Sequence, residues 1–456
     1  MTSRPIAAVV LAAGKGSRMK SDLPKVMHRV AGKPMINHIL DALAPLAPVR
    51  TVAVVAPGYD DVRKTVAPAA IAIQETPLGT GHAVLAAKDH LAGFDGTVLV
   101  LFGDTPLLTT ATIRAMAEAM EGAGDPAVAV LGFRPADPAA YGRLVTAPDG
   151  GLDAIVEFKD CNPAQKKIGL CNAGIMGIDG RVALSLLSRL KAENAQKEYY
   201  LTDVVALARG DGRACVVVEG DPEEVMGVDS RVKLAEAEAV MQGRLRRRAM
   251  DGGATLVAPE TVFFCHDTVT GRDVTIEPNV VFGPGVVLHD RTHVKAFSHL
   301  EGATVHPGAE VGPYARLRPG ADIGEKARIG NFVEVKKAKV EAGAKVNHLS
   351  YIGDARVGAG ANVGAGTITC NYDGFFKYHT DIGAGAFIGS NSALVAPVSI
   401  GDGALVAAGS TIARDVPANA LVLTRAPQTE NAGWAKAFRE RQSAAKAAKS
   451  SGGKDD

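Results

Sequence analysis

The chain of 456 residues has few aromatic residues, no excess of charge of either sign and no long apolar run. Aromatic residues make up 5% of it and the formal net charge is +1, so no bulk field attracts nucleic acid or an anionic membrane. A membrane-spanning helix needs about 18 consecutive apolar residues, and no run is that long. The apolar run Ile6–Ala13, which is followed by Gly14, is also too short for a secretory signal. We therefore expect neither a membrane nor a nucleic acid as partner.

Cysteine is scarce as well, and its copies are dispersed. None of the five stands in a Cys-x-x-Cys pair, and an odd, scattered set predicts reduced thiols in a cytoplasmic protein. The same spacing predicts that the chain has no zinc site. The five are Cys161, Cys171, Cys215, Cys265 and Cys370.

Glycine, in contrast, is abundant: it makes up 51 of the 456 residues, about 11%, whereas average usage in proteins is about 7%. Apolar residues make up 47%, which is enough to bury a sizeable core. The length predicts two or three domains at roughly 150 residues each. The positions of the surplus glycines along the chain are therefore informative about the fold.

The first half alternates short apolar runs with helical patterns, which predicts an α/β domain. The runs are rich in β-branched residues and bounded by Gly or Pro, so we expect a mostly parallel, Rossmann-like sheet with helices on both faces. The predicted strands are Ile6–Ala13, Thr51–Ala56, Thr97–Phe102 and Ala127–Phe133, and the predicted helices include Pro34–Leu43 and Gly79–Leu91.

A long charged helix is predicted over Asp229–Met250, closed by two glycines, and it suggests an arm between domains. We therefore divide the chain into residues 1–228, a helical arm over 229–252 and a last part over 253–456. The last part ends in a basic, Ala-rich tail from Lys436 to Lys454 that we expect to be flexible.

From Ile276 onward the apolar pattern has a period of six, as at Phe282, Leu288, Val294 and Leu300. The series continues to Ile412, with single five-residue steps and one long gap. A period of six matches neither an α-helix nor a hairpin, but it is typical of a parallel β-helix with three flat sides and about seven coils. A β-sandwich, the alternative, would show hairpin turns every 8–12 residues without a fixed phase.

The first predicted strand runs into a loop, residues 11–19, that contains Gly14 and Gly16 and is followed by Lys25. Glycines let the backbone approach a triphosphate, while Arg18 and Lys25 offset its charge. An ordinary tight turn is the alternative, and a Walker loop is excluded because its GxxxxGK[ST] pattern is absent. The whole string resembles the signature of sugar-1-phosphate nucleotidyltransferases, L-x-x-G-x-G-[ST]-R-[LM] with a following Lys.

The resemblance implies the nucleotide-binding residues. In that family Arg18 and Lys25 would be catalytic, because they clamp the phosphates while a sugar phosphate attacks the α-phosphorus of UTP. The segment with Gln74 and 78–82 is similar to one that binds uracil, and an amide suits the imide edge of that base. His82 would orient backbone there. The implied UTP-binding positions are Leu11, Ala12, Ala13, Gly14, Lys25, Gln74, Gly79, Thr80, Phe102 and Asp104.

The same resemblance implies a Mg²⁺ site and a sugar site. Asp104, after the strand that ends at Phe102, corresponds to the magnesium carboxylate, and a capping Asp is the alternative. Asp229 stands where the family has Asn, and it would be the second ligand or the N-cap of the arm helix. For the sugar, the implied residues are Gly142, Glu157 and Asn172, with Arg143 and the segment Tyr199–Asp203 nearby.

Polar clusters interrupt the period-six region at 316–320, 331–337, 348–351 and 366–374. The gap from Val363 to Ile382 spans nineteen residues where the repeat predicts six, so we expect a loop expelled from the coil, and such loops carry function. An amine must be neutral to attack a thioester, so a base that titrates near neutrality is needed, and histidine fits.

The repeats resemble the left-handed β-helix of acetyl-CoA-dependent acyltransferases, which act as trimers. A bare solenoid also serves as a structural module in some nucleotidyltransferases, so the repeats alone do not indicate catalysis. The polar clusters that interrupt them do. The resemblance makes His348 the general base. It implies Arg318, Lys336, Tyr351 and Asn362 for the sugar phosphate, and Asn371, Tyr372, Ser390, Ala408 and Arg425 for acetyl-CoA, with the Tyr372 N–H on the oxyanion.

Together the matches extend from Ile6 to about Trp434 and resemble a family of two-site enzymes that join both transfers. That family implies acetylation of glucosamine-1-phosphate, then uridylylation of N-acetylglucosamine-1-phosphate with Mg²⁺, for bacterial envelope synthesis in the cytoplasm. A homotrimer through the β-helix is implied as well. Two alternatives stay open: a one-site nucleotidyltransferase with a structural solenoid, and a scaffold without catalysis.

Overall fold

The computed structural model describes residues 4–122, 124–138, 141–147, 150–194 and 196–451, with side chains to residue 448. The chain divides into two compact units between Val287 and Leu288. The five cysteines are all unpaired. Within the described residues, no helix combines the length and the apolar character that crossing a membrane requires.

A nine-stranded sheet forms the centre of the first unit, in the order β11-β7-β10-β6-β1-β4-β5, with β8 and β9 as a hairpin beside β10. Strand β10 is antiparallel to β6 and β7, and the other strands of the main path are parallel, as predicted. A separate hairpin, β2 and β3, lies outside the sheet. The strands are β1 (Ile6–Leu11), β2 (Arg29–Val30), β3 (Lys33–Pro34), β4 (Arg50–Val55), β5 (Ala70–Ile73), β6 (Thr97–Phe102), β7 (Val128–Phe133), β8 (Arg143–Thr146), β9 (Leu152–Val156), β10 (Cys171–Asp179) and β11 (Cys215–Glu219).

Helices cover both faces of this sheet. Alternate residues of β1 belong to opposite cores: Val9 packs with one group of helices and Val10 with the other. Because both faces are buried, the strands are continuous apolar runs. The helices are α1 (Met35–Leu43), α2 (Asp60–Thr65), α3 (Thr80–Ala86), α4 (Lys88–Leu91), α5 (Thr110–Ala119), α6 (Gly180–Ser188), α7 (Asp203–Gly210) and α8 (Arg231–Asp251). Short 3₁₀ helices are Ser17–Met19, Lys25–Met27, Ala44–Leu46, Phe158–Asp160, Gln165–Lys167 and Pro259–Thr261.

Two helical predictions need correction. The pattern over Gly79–Leu91 forms two helices, because the backbone leaves helical geometry at Ala87, with ψ of 7°. The arm helix α8 is capped by Ser230, whose side chain accepts a hydrogen bond from the N–H of Lys233. Asp229 therefore does not cap it and is available for another role.

The period-six region is a parallel β-helix, as predicted. In the second unit three parallel sheets form its sides, in the orders β17-β20-β23-β25-β27-β30-β33-β35, β18-β21-β24-β26-β28-β31-β34 and β19-β22-β24-β26-β29-β32. The strands are β12 (Thr255–Leu256), β13 (Val269–Thr270), β14 (Thr275–Ile276), β15 (Val281–Phe282), β16 (Val287–Leu288), β17 (His293–Val294), β18 (His299–Leu300), β19 (Ala303–Val305), β20 (Glu310–Val311), β21 (Arg316–Leu317), β22 (Ala321–Ile323), β23 (Arg328–Asn331), β24 (Glu334–Val340), β25 (Lys345–His348), β26 (Tyr351–Val357), β27 (Asn362–Val363), β28 (Ile368–Cys370), β29 (Thr380–Ile382), β30 (Phe387–Ile388), β31 (Ala393–Val395), β32 (Val398–Ile400), β33 (Leu405–Val406), β34 (Thr411–Ile412) and β35 (Leu421–Val422).

Successive coils stack with their apolar residues in register. Along one side, Val311 pairs with Ile329, Ile329 with Val346, Val346 with Val363, and Val363 with Ile388. All five are at most 2% exposed. The five-residue steps keep this phase, because they shorten a turn without moving the apolar residue off the interior.

The long gap in the repeat is a loop between β28 and β29, closed by an antiparallel bridge between Tyr372 and Lys377. At the C-terminus, the tail predicted to be flexible contains a helix, α9 (Trp434–Ser451), whose side chains are exposed as far as residue 448. Lys454 and the two last residues lie outside the described part of the chain.

Shortening an interior side chain of the solenoid should destabilise it far more than shortening an outward one. Leu394 is fully buried, whereas Leu405 is 43% exposed. We expect Leu394→Ala to lower the free energy of unfolding in urea by about 2–5 kcal/mol, because it leaves a cavity. Leu405→Ala, the matched control, should change it by about 0.5 kcal/mol or less. Equal losses would contradict the assignment of the interior face.

Candidate active sites

The loop of residues 11–19, called the phosphate loop below, and Asp104 lie close together because the strands before them end at the same edge of the sheet. Strand β1 pairs with β6 so that Leu11 lies opposite Phe102. The ammonium of Lys25 forms an ion pair with the Asp104 carboxylate. Gly16 has φ of 61°, and a Cβ there would lie 2.7 Å from Cβ of Lys25, so only glycine lets the loop approach that lysine.

A cavity of about 280 Å³ opens at this edge. Every residue that the sequence implied for UTP in this region lines it: Leu11, Ala12, Ala13, Gly14, Lys25, Gln74, Gly79, Thr80, Phe102 and Asp104. Glu198 lines it too and was missed, because its segment follows a turn without any motif of its own. The fold thus gathers residues more than ninety positions apart into one nucleotide-sized site.

Gln74 is 6% exposed, and its side chain is held in one orientation. Its Nε2 donates to the carbonyl of Gly79 at 3.1 Å and lies 3.2 Å from Nδ1 of His82. His82 therefore contacts the amide side chain, where the sequence predicted that it orients backbone. An amide fixed by two acceptors presents its oxygen in a defined direction, which suits recognition of a base edge.

Asp229 joins the same edge through the backbone. The N–H of Val228 donates to the carbonyl of Asp104 at 2.8 Å, which brings the next residue beside Asp104. The Asp229 carboxylate accepts from Arg18 at 3.0 Å. The two acids, Asp104 and Asp229, are 15% and 24% exposed, and each has a cationic partner. Hard carboxylate oxygens beside a phosphate loop fit Mg²⁺.

The three residues implied for the sugar also lie together. The N–H of Asn172 donates to the carbonyl of Gly142 at 2.9 Å, and a Cβ on Gly142 would lie 3.4 Å from both carboxylate oxygens of Glu157. Burial raises the pKa of Glu157, and the charges of Asp160 and Asp203 add to the effect. A cavity of about 340 Å³, lined by these three acids and by Tyr200, opens there.

Arg143, which the sequence grouped with this segment, is only 1% exposed. Its guanidinium donates to the carbonyl of Tyr141 and packs over the ring of Phe158 at 5.3 Å. Tyr199 is likewise packed against the core. Arg143 thus supports the segments that carry Gly142 and Glu157.

In the solenoid, His348 is exposed and its ring is oriented by a neighbour. Strands β23 and β25 pair Asn331 with His348, and Oδ1 of Asn331 lies 2.7 Å from Nδ1 of the histidine. An amide oxygen only accepts, so Nδ1 carries the proton and Nε2 is left as the basic nitrogen. Asn331 was not among the predicted site residues. It lies seventeen residues before His348, which is one coil of two six-residue steps and one five-residue step.

Several basic side chains lie together on the neighbouring side of the solenoid. Arg318 donates to Glu334 at 2.7 Å, and Glu334 pairs across the coils with Tyr351. Lys377, from the expelled loop, contacts Lys336 and lowers its pKa. Two ammonium groups held together are a natural site for an anion. Lys377 was missed because the period-six pattern is silent inside the loop.

Of the positions implied for acetyl-CoA, three form one column at a corner of the coils. The guanidinium of Arg425 donates to the carbonyl of Ala408 at 2.8 Å. The N–H of Gly409, the residue after Ala408, donates to the carbonyl of Ser390. Tyr372 is 59% exposed on the loop. Asn371 differs: it is 7% exposed and its amide donates to Asp354 at 2.6 Å, so its side chain holds the base of the loop. Asn362 lies on β27, opposite Lys345.

Comparisons with known proteins agree with the two-part architecture. Residues 8–152 match the family model of the MobA-like NTP transferase domain, and residues 379–414 match that of the bacterial transferase hexapeptide with six repeats. The chain is 60% identical over 449 residues to the bifunctional protein GlmU of Paramagnetospirillum magneticum, covering 98% of this chain and all of that one.

Two further relatives carry the same name. The protein of Rhodospirillum rubrum is 64% identical over 433 residues, which are 95% of this chain and 97% of the relative. The protein of Sphingopyxis alaskensis is 55% identical over 447 residues, which are 98% of this chain and 99% of the relative. With such identity over nearly the whole length of both chains, this chain belongs to the GlmU family of bifunctional proteins.

Proposed function

We propose that this chain makes UDP-N-acetylglucosamine in two steps. The solenoid, residues 253–456, acetylates glucosamine-1-phosphate with acetyl-CoA. The α/β part, residues 1–228, transfers uridylyl from UTP to the resulting N-acetylglucosamine-1-phosphate, and the helical arm over 229–252 connects the two. The observation that carries the proposal is that one chain holds two separate polar sites, each with the chemistry of one transfer.

In the uridylyl step, the bond between the α-phosphorus and pyrophosphate breaks as the sugar phosphate oxygen attacks. Arg18 and Lys25 bind the triphosphate and stabilise the charge that develops on the leaving pyrophosphate. Both cations are already near their positions, held by Asp229 and Asp104. Those two carboxylates would hold Mg²⁺, which neutralises phosphate charge when bound. If both carboxylates held the ion, Arg18 and Lys25 would be available to the phosphates.

The other residues of this site select and orient the substrates. Gln74, fixed by Gly79 and His82, presents its amide to the base. Glu157 and Asn172 hydrogen-bond the sugar, and the small Gly142 beside the Glu157 carboxylate leaves room for a ring. Orientation of this kind replaces a bimolecular encounter by a reaction between fixed partners.

In the acetyl step, Nε2 of His348 takes a proton from the amine of glucosamine-1-phosphate. The amine attacks the thioester carbonyl, the new C–N bond forms, and the C–S bond breaks as the departing sulfur takes the proton from His348, so that CoA leaves as its thiol. The N–H of Tyr372 would stabilise the oxyanion. Asn331 stabilises the imidazolium that forms by accepting from Nδ1. Arg318, Lys336 and Lys377 bind the phosphate of the sugar.

The corner of the solenoid supports acetyl-CoA binding beside His348. Residues at successive corners adopt positive φ, and up to Leu349 they carry large side chains: Phe297, Tyr314, Phe332 and Leu349. In the coils after Leu349 the same corner position is Gly366, then Asn391 and Gly409. Along the column of Ser390, Ala408 and Arg425 the corner thus lacks the large apolar side chains of the earlier coils, and the Arg425 guanidinium would bind a CoA phosphate.

The same corner supports a homotrimer. Phe297, Tyr314 and Phe332 stack face to face at 5.0 and 5.1 Å and are 46–56% exposed, and Leu349 extends the row at 63%. An exposed row of stacked aromatic rings is unusual for a monomer surface and fits burial against a second copy of this chain. The row ends beside His348, so a neighbouring copy would close the acetyl site. We place the enzyme in the cytoplasm, where its substrates and five unpaired thiols belong.

The two activities should be separable by single substitutions. We expect His348→Ala to slow release of CoA thiol in the presence of glucosamine-1-phosphate by about 10²–10⁴-fold, because the general base is lost. Pyrophosphate release from UTP and N-acetylglucosamine-1-phosphate should persist. Asp104→Asn is the reciprocal variant: it should abolish pyrophosphate release and spare acetylation. Unchanged thiol release in His348→Ala would refute the assignment of the base.

Asn331 should act through His348, which a pH profile can reveal. Asn331→Asp places a carboxylate against Nδ1 and favours the protonated ring, so the base is available only at higher pH. We expect the acid limb of kcat/KM for acetylation to move up by roughly one pH unit. Asn347→Asp adds the same charge next to His348 in sequence without the Nδ1 contact, and its shift should be smaller. Equal shifts would mean that Asn331 has no positioning role.

A further inference from the structure

Three consecutive residues, Cys265, His266 and Asp267, lie in the first compact unit, outside both proposed active sites. Their ligand atoms all lie within 4.8 Å of one another, and within the described chain this is the one group of three or more such residues that could hold a metal ion. Sγ of Cys265 and Nδ1 of His266 are 3.4 Å apart. Thiol, imidazole and carboxylate together are the donor set of zinc-type sites.

The separation of sulfur and nitrogen matches that geometry. Zinc bonds of about 2.3 Å to sulfur and about 2.0 Å to nitrogen, at a tetrahedral angle, place the two donor atoms about 3.5 Å apart. The carbonyl oxygen of Ala31 lies 3.3 Å from both the sulfur and the nitrogen. Three donor atoms thus form a nearly equilateral triangle before any ion binds, and Asp267 is within reach of it.

Backbone geometry holds this triangle in place. The N–H of His266 donates to the carbonyl of Ala31 at 2.9 Å, and the N–H of Gly285 donates to the carboxylate of Asp267 at 2.9 Å. Gly32 has φ of 79°, and a Cβ there would lie 2.6 Å from Sγ of Cys265. The turn at Ala31–Gly32 is therefore moulded around the sulfur, and the carboxylate is oriented by a backbone donor, as in sites with an ordered outer shell.

The group is closed on one side and accessible on the other. Cys265 is only 3% exposed. His266 and Asp267 line a cavity of about 380 Å³, beside Arg248 and Thr268, through which an ion and a water can enter.

We propose that Cys265, His266 and Asp267 bind one thiophilic divalent cation of the zinc class, with water from the cavity in the remaining position. The thiolate selects against Mg²⁺, so this site is chemically distinct from the Asp104 and Asp229 pair. The ion would join the Ala31–Gly32 turn to the start of the solenoid and would stabilise that junction without taking part in either transfer. It would also overturn the prediction from cysteine spacing that the chain has no zinc site, because that rule looks for paired cysteines.

Co²⁺ is the probe for the test, since it replaces Zn²⁺ and gives a thiolate charge-transfer absorption in the near ultraviolet. The full-length protein is stripped with a chelator and titrated with Co²⁺, and we expect the band to saturate at one ion per chain and to disappear when Zn²⁺ is added. Cys265→Ser should lose the band. His266→Gln, a partly exposed position that should fold normally, should weaken Co²⁺ binding and change the visible spectrum.

Two control variants show whether the band arises at this group of residues. Cys215→Ser removes a buried thiol near the carbonyl of Val205, and it should keep the band. Asp104→Asn alters the magnesium site and should keep it as well. Zn²⁺ should raise the melting temperature of the stripped wild type and leave that of His266→Gln less changed. Absence of a band in the wild type, or its persistence in Cys265→Ser with an unchanged spectrum in His266→Gln, would overturn the proposal.

Discussion

Backbone pairing brings together the central residues of both candidate sites. In the α/β part, the pairing of Leu11 with Phe102 places the phosphate loop and Asp104 at one sheet edge, and the bond from Val228 to the Asp104 carbonyl adds Asp229. In the solenoid, the pairing of Asn331 with His348 places Oδ1 of Asn331 against Nδ1 of His348 and orients that ring. A shift of one residue in any of these ladders would separate the partners, since strand side chains alternate between faces.

Charge is arranged in advance at the first site. Arg18 and Lys25 have carboxylate partners in Asp229 and Asp104, so the charge of both cations is compensated before substrate binds. Lys25 and Asp104 are 19% and 15% exposed, so an unpaired charge on either side chain would be costly, and the ion pair removes that cost. Asp229, where the family has Asn, adds a negative charge that the ion pair with Arg18 balances.

Much of the fold and many of the site residues could be predicted because they lie on patterns that one sequence displays. The period of six predicted the parallel β-helix, and the family resemblance of several separate segments, the glycine-rich loop among them, implied the ten residues that line one cavity. Contacts between coils could not be read in the same way. Asn331 contacts His348 because one coil here contains a five-residue step, which places the two residues seventeen apart. Lys377 lies on the expelled loop, where the period of six does not apply. Ser230 rather than Asp229 caps α8, a choice between adjacent residues that backbone angles make and residue types do not. The surplus glycine is explained in part by the corners, where residues such as Gly366 and Gly409 adopt positive φ.

The central claim, that one chain carries out two consecutive transfers, is tested most directly by product analysis. The purified protein is incubated with glucosamine-1-phosphate, acetyl-CoA, UTP and Mg²⁺, with each omitted in turn, and the products are identified by mass. The account predicts UDP-N-acetylglucosamine from the full mixture and N-acetylglucosamine-1-phosphate when UTP or Mg²⁺ is left out. Without acetyl-CoA it predicts no N-acetylated product. Uridylyl transfer to added N-acetylglucosamine-1-phosphate without any acetylation of glucosamine-1-phosphate would contradict it, and would make the solenoid a structural module.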